Sequence, residues 1–158
     1  MSQKKGCWYN KSFNTLTTNE LYDILKLRVD IFVVEQTCYY PELDDHDRHS
    51  DTRHVYCYHA GIIQGYLRIL PKGLTYNDYI SIGRVAIAQD ARGVGLGHQL
   101  IEQGIRICQQ LYAGQPIKIS AQQHLENFYQ QHDFETVSAM YLEDNIPHIS
   151  MLRPVKDG

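Results

Sequence analysis

The residues best suited to chemistry are Arg92-Gly-Val-Gly-Leu-Gly97. They follow a β-branched run, Ile82-Gly-Arg-Val-Ala-Ile87, and a short polar turn, Ala88-Gln-Asp-Ala91. An amphipathic helical pattern begins directly beyond the glycines. A strand, a glycine turn and a helix N-terminus make a cradle for a phosphorylated ligand, because backbone N–H groups converge there and the helix dipole adds positive potential. Gly95 and Gly97 let the backbone approach phosphate oxygens with no Cβ in the way. Taken alone, Arg-x-x-Gly-x-Gly also fits an ordinary turn before a helix. Two familiar phosphate motifs fail on residues: no Gly-Lys-Ser/Thr follows, and no Gly-x-Gly-x-x-Gly follows an N-terminal strand with a later ribose-binding acid.

The elements that must position this loop can be read from periodicity. A short strand is expected near Cys7 to Asn10, and Thr17-x-x-Glu20 reads as a capping box opening a helix. Leu21, Ile24, Leu25, Arg28 and Phe32 carry that helix on at helical spacing. Tyr39 to Arg53 is polar and reads as a loop. His54 to His59 and Ile62 to Leu70, joined at Ala60-Gly61, read as a hairpin. Pro71 to Asp78 is another loop, and Tyr79 to Ala88 is the strand before the glycines. Leu100, Ile101, Gly104, Ile105, Cys108 and Leu111 mark one face of the next helix, closed by Gly114 and Pro116. Then come a strand at Ile117 to Ala121, a short helix at His124 to His132, and two strands, Phe134 to Leu142 and Ile146 to Leu152, around Glu143-Asp144-Asn145. The order is β-α-β-β-β-α-β-α-β-β, a mixed α/β fold.

With 158 residues, 43% of them hydrophobic, the chain is expected to form one domain, 1–158, with a core of its own. A net charge of −3 and no basic run longer than Lys4-Lys5 argue against nucleic-acid or anionic-membrane partners. The opening residues, Met1 to Cys7, have no apolar stretch of the signal-peptide kind. Cys7, Cys38, Cys57 and Cys108 are therefore expected to be reduced thiols in a cytoplasmic protein, with Cys57 and Cys108 in the core.

The block Ile82 to Gln99 resembles the acetyl-CoA-binding motif of the GNAT N-acetyltransferase superfamily, Gln/Arg-x-x-Gly-x-Gly/Ala, and is closest to its ElaA-type branch. The resemblance extends through Leu27-Arg-Val-Asp-Ile-Phe-Val-Val-Glu-Gln36, Ala121-Gln-Gln-His-Leu125, Asn127-Phe-Tyr129 and Glu143-Asp-Asn-Ile-Pro-His-Ile149. It implies a mixed, mostly antiparallel sheet with flanking helices, acetyl-CoA as co-substrate with no metal, and a possible homodimer. It also implies that amides from Gly93 through Val94, Gly95, Leu96 and Gly97 to His98 hold the CoA pyrophosphate beside Arg92. The strand edge at Val85, Ala86 and Ile87 would pair with the pantetheine arm, and Gln122 and Asn127 take cofactor-contacting places.

By the same resemblance, Tyr129 protonates the departing CoA thiolate. A phenol can do this only when well positioned, since its pKa of about 10 exceeds that of a thiol. Where the family usually has Gly before the Phe, this chain has Asp133 before Phe134. Asp tolerates left-handed backbone better than most residues, so the turn is expected to persist.

The acceptor is expected to be a primary amine on a small molecule or peptide. Removing its proton at neutral pH costs roughly 4 kcal/mol for a pKa of about 10.4. By position, Glu35 and His148 are the candidate bases. The competing readings are a solvated helix-end carboxylate for Glu35 and a hydrogen-bonded strand histidine for His148. The run Asp44 to His54 has metal-ligand residue types but no ligand spacing, and is read as a charged, solvated loop bordering the acceptor cleft, its acidic side steering cationic amines. No cysteine falls in the motif blocks near the thioester, which disfavours an acyl-cysteine route. The alternative to an enzyme is a CoA-binding sensor or interaction module on the same fold.

Overall fold

The computed structural model describes residues 7–155. Residues 1–6, on which the reading of no export signal largely rests, lie outside the described residues. The elements are β1 (Cys7–Lys11), α1 (Thr18–Arg28), β2 (Arg53–His59), β3 (Ile62–Leu70), β4 (Ile80–Ile87), α2 (Leu96–Leu111), β5 (Ile117–Gln122), α3 (Glu126–Gln130), β6 (Glu135–Thr136), β7 (Tyr141–Glu143) and β8 (Ile146–Arg153).

Local chemistry sets most of these boundaries. The capping box is present in full: Glu20 N–H donates to Thr17 Oγ1 at 3.0 Å, and Thr17 N–H donates to Glu20 Oε1 at 2.9 Å. Instead of ending, α1 runs into a π-helical segment, Val29–Glu35, whose wider turn has Gln36 N–H donating to the Ile31 carbonyl. The β2–β3 hairpin turns at Ala60 (φ 52°) and Gly61 (φ 78°), consecutive left-handed residues that match strand twist.

The sheet order is β1-β2-β3-β4-β5-β8-β6, with β7 also pairing β8. Among the described residues every pairing is antiparallel except β4 with β5. One face packs against α1 through Ile24, Leu27, Ile31, Tyr56, Tyr66 and Ala86. The other packs against α2 and α3 through Leu67, Ile82, Leu100, Ile101, Ile105, Tyr129 and Phe134. Cys57 and Cys108 are buried free thiols.

Two readings need correcting. The stretch expected as one strand from Phe134 to Leu142 is split into β6 and β7. Ser138 interrupts the ladder because its Oγ, not a main-chain carbonyl, accepts the Ser150 N–H at 2.9 Å. Leu111, placed on the buried face of α2, is 50% exposed, and Ile107 is buried. No helix among the described residues is long and apolar enough to cross a membrane.

Candidate active site

The parallel partners β4 and β5 are in register only at Ile80↔Ile117 and Ser81↔Lys118. Beyond Ser81 the two strands splay, and among the described residues the β4 edge facing β5 has no strand partner. On the other side of β4 the register with β3 shifts between Tyr66 and Arg68, a bulge at which Arg84 adopts φ 52°. Arg84 is an unusual left-handed residue, held by donating from Nε to Glu42 Oε2 at 2.9 Å.

The splay opens a cleft with two halves. One, of about 530 Å³, is lined by Glu35, Ile87, Arg92, Gly93, Gly95, Leu96, Gly97 and Phe128 among others. The second, of about 410 Å³, is lined by Cys38, Tyr40, Asp44, Ser120, Glu143, Asp144 and His148 among others. Phe32, Gln36, Val85, Gln122, Leu125 and Tyr129 belong to both and form the waist. The π-helical segment explains two of these, because it turns Phe32 and Gln36 into the cleft. Gln122 Nε2 then donates to Gln36 Oε1 at 3.3 Å across the waist.

The glycine loop is built for close approach. Gly93 (φ 86°) and Gly95 (φ 80°) sit in left-handed backbone, and Gly95 caps α2. Arg92 donates from Nη1 and Nη2 to the two carboxylate oxygens of Glu35 at 2.8 and 2.9 Å, and from Nη2 to the Ile87 carbonyl at 3.2 Å. A CoA tail fits what is present: an unpartnered strand edge for its amides, and a glycine turn at a helix N-terminus for its phosphates.

Tyr129 is 6% exposed and wedged edge-on between Phe128 and Phe134, ring centroids 5.1 and 5.8 Å away. Burial pushes its phenol up to about 12, so it is a neutral proton donor at physiological pH. Its position depends on the turn after α3. Phe134 N–H donates to the Tyr129 carbonyl at 3.2 Å, and Asp133 supplies φ 68° where a glycine would be usual. His148, 7% exposed, lines the second half, with Nδ1 2.7 Å from the Ile146 carbonyl.

Other expected site residues lie elsewhere. Glu35 faces the glycine-loop half, where the Arg92 hydrogen bonds hold its carboxyl below the usual range, and not the half lined by His148. Ala86 turns its side chain into the α1-side core at 1% exposure. Val94 points outward at 75% exposure, and Asn127 is exposed on α3; neither lines the cleft. The His98 ring is engaged away from the cleft, its Nδ1 2.8 Å from His132 Nε2 and its face against Phe128.

The run from Asp44 to His54 does border the cleft through Asp44 and His46, and it is solvated only in part: Asp45, Arg48, Ser50 and Asp51 are exposed, whereas Asp47, Thr52 and His54 are buried. Glu42, Asp47, Arg28 and Arg68 are all buried. Burial raises the Asp44 carboxyl, yet the bidentate Arg68 guanidinium and Arg84 overcome this and bring it down to about 2. No group of three or more metal-type side chains converges among the described residues. The legible signal for this network was Arg28, Arg68 and Arg84, each standing within an otherwise apolar helix or strand pattern. Cys38, outside every motif block, lines the second half. Its thiol donates to the Asp144 carbonyl at 3.3 Å, and burial with the Asp144 charge pushes its pKa up, which disfavours the nucleophilic thiolate.

Comparison with known proteins places this geometry. The family model of an acetyltransferase (GNAT) domain matches residues 29–153. The chain is 37% identical over 148 residues to Protein ElaA of Escherichia coli (strain K12), covering 94% of this chain and 96% of that one. The crystal structure of an acyl-CoA N-acyltransferase from Pseudomonas aeruginosa superposes with TM-score 0.89 at 42% identity, covering 94% of this chain and 99% of that one. The crystal structure of Escherichia coli ElaA superposes with the same TM-score, 0.89, at 35% identity and the same two coverages.

Proposed function

This chain belongs to the GNAT acetyltransferase family, and from that premise we propose that it is an acetyl-CoA-dependent N-acetyltransferase acting on a primary amine by direct attack in a ternary complex. One observation carries the reading: Tyr129 and Val85 stand at the waist where the cofactor half and the second half meet. Acetyl-CoA supplies the acyl group as a thioester, and the protein's part is to hold, orient and move protons.

The glycine loop and the start of α2 grip the diphosphate with backbone N–H groups from Gly93 to His98. Arg92, tethered to Glu35, lies beside it. The free edge of β4 at Val85 and Ile87 hydrogen-bonds the pantetheine arm, and amides near Val85 donate to the thioester oxygen as charge develops. Gln122 closes the waist from the β5 side. His148 is the base of choice over Glu35, because it lines the acceptor half while both Glu35 oxygens are engaged by Arg92. Tyr129 gives its proton to the sulfur as the C–S bond breaks.

Tyr129→Phe is expected to lower kcat by about a hundredfold while leaving the Kd for CoA nearly unchanged. Thiol release from acetyl-CoA across an amine panel, with calorimetry for CoA binding, reads both. An unchanged kcat would remove Tyr129 from the chemistry, and CoA binding without thiol release from any amine would leave only a sensor.

A further inference from the structure

The acceptor half has two charged walls, and only one of them is neutralised. On the first, Arg28 donates to Glu42 at 2.6 Å and to Asp47 at 2.7 and 3.1 Å. Arg68 donates to Asp44 at 2.8 and 2.6 Å and to Asp47 at 3.0 Å, and Arg84 donates to Glu42 at 2.9 Å. Three guanidinium groups thus face three carboxylates. This wall has no charge left to attract an amine.

The second wall is the turn joining β7 to β8. Glu143 and Asp144 line the cleft there, and among the described residues neither has a lysine or arginine within ion-pair distance. Lys118, on the neighbouring face of β5, is instead held over the rings of Tyr76 and Tyr79 at 4.8 and 5.4 Å. Ser120 Oγ donates to Glu143 Oε1 at 3.2 Å, which fixes that carboxylate.

His148 completes the arrangement. The Ile146 carbonyl, 2.7 Å from Nδ1, can only accept, so Nδ1 carries a proton, and in its neutral form the ring presents Nε2 as an acceptor. That Nε2 lies 3.6 Å from Glu143 Oε2. Two acceptors at this separation cannot bond each other, but a group with several N–H donors placed beside both satisfies them together.

The geometry points to a protonated primary alkylamine as the acceptor, its ammonium group seated between His148 Nε2 and Glu143 Oε2. This specifies the acceptor class within the N-acetyltransferase reading and rests on it. One ammonium N–H bond breaks, the proton moves to Nε2, and the electron pair stays on nitrogen. That nitrogen then bonds the thioester carbon as the C–S bond breaks. The sulfur takes the Tyr129 proton, the nitrogen's next proton restores the phenol, and the imidazolium releases its proton to water. Glu143 binds the cation and His148 removes its proton, so the two substitutions have separable effects.

Steady-state kinetics with benzylamine, a cation at neutral pH, and aniline, neutral there, test the assignment with acetyl-CoA as donor. Glu143→Gln is expected to raise KM for benzylamine, and to lower its kcat/KM relative to that for aniline on the order of tenfold. His148→Gln is expected to lower kcat for benzylamine with less effect on its KM. A ratio unmoved by Glu143→Gln in a protein that still binds CoA and melts as the parent does would overturn the proposal. Thiol release with aniline but none with benzylamine would overturn it too, while leaving the N-acetyltransferase reading intact. Release with neither amine, nor with any other in the panel, would sink both.

Discussion

Glu35 shows how a side chain of the right type can be committed elsewhere. It ends the π-helical segment with both oxygens on Arg92, and that pair ties the end of the first helix to the glycine loop. Because the two side chains are 40% and 36% exposed, the worth of the pair is positional, not a source of large stability. Glu35→Gln is therefore expected to raise KM for acetyl-CoA several-fold by loosening Arg92, with kcat at saturation changed by about twofold or less. Initial rates at varied acetyl-CoA decide it, and a collapse of kcat alone would restore Glu35 as a base. Arg84 and Asp133 make the complementary point, since both hold left-handed backbone without being glycine. For Arg84 the ion pair with Glu42 offsets that strain, which is about 1–2 kcal/mol.

Among the elements, α2 is the one that aims the phosphate loop, and its seat on the sheet is unusually close at Gly104. A Cβ there would stand 2.9 Å from Leu67 Cδ2 and 3.3 Å from Ile82 Cδ1, both in side chains of the core. Gly104→Ala gains helix propensity of about 1 kcal/mol but overpacks the contact by about 1–3 kcal/mol. Net destabilisation of about 1 kcal/mol is expected in urea unfolding, accompanied by weaker CoA binding as the helix start shifts. A more stable variant with unchanged CoA affinity would show that the contact yields freely. The π-helical segment acts at the same scale: by widening the helix it delivers Phe32 and Gln36 to the waist of the cleft.

For the molecule as a whole, the buried arginine–carboxylate network joins α1, β3, β4 and the loop at 42–47 into one unit. Removing one partner leaves a guanidinium under-compensated where water is excluded, so Asp47→Asn is expected to cost about 3 kcal/mol by chemical denaturation. The pH dependence follows in sign. Asp44 and Glu20 are both brought to about 2 in the folded protein, against 3.8 and 4.5 for the free groups. In each case burial opposes the shift and is outweighed, by Arg68 and Arg84 for Asp44, and by the Thr17 amide, Tyr56 and Lys11 for Glu20. Lowered carboxyl values stabilise the fold above the unfolded values, and that stabilisation is lost as pH falls from about 4.5 through 2. Thermal melting across that range should show the descent, and Glu20→Gln should flatten it. A melting temperature insensitive to pH below 4.5 would contradict the assignment.

The glycine loop, the capping box and the hairpin turn were legible in the chain, because each depends on residues close in sequence, whereas Tyr129 stood out among twelve tyrosines only through the family resemblance. A helix cap needs four residues and a left-handed turn needs two. The two halves of the cleft, the bulge at Arg84, the place of Glu143 beside His148 and the commitment of Glu35 to Arg92 were decided only in three dimensions. Glu35 lies 57 positions from Arg92 and Glu42 lies 42 from Arg84, and even Glu143 and His148, close in sequence, are brought together by the pairing of β7 with β8. Local backbone preference is written residue by residue, whereas the pairing of charges across a fold is settled by packing.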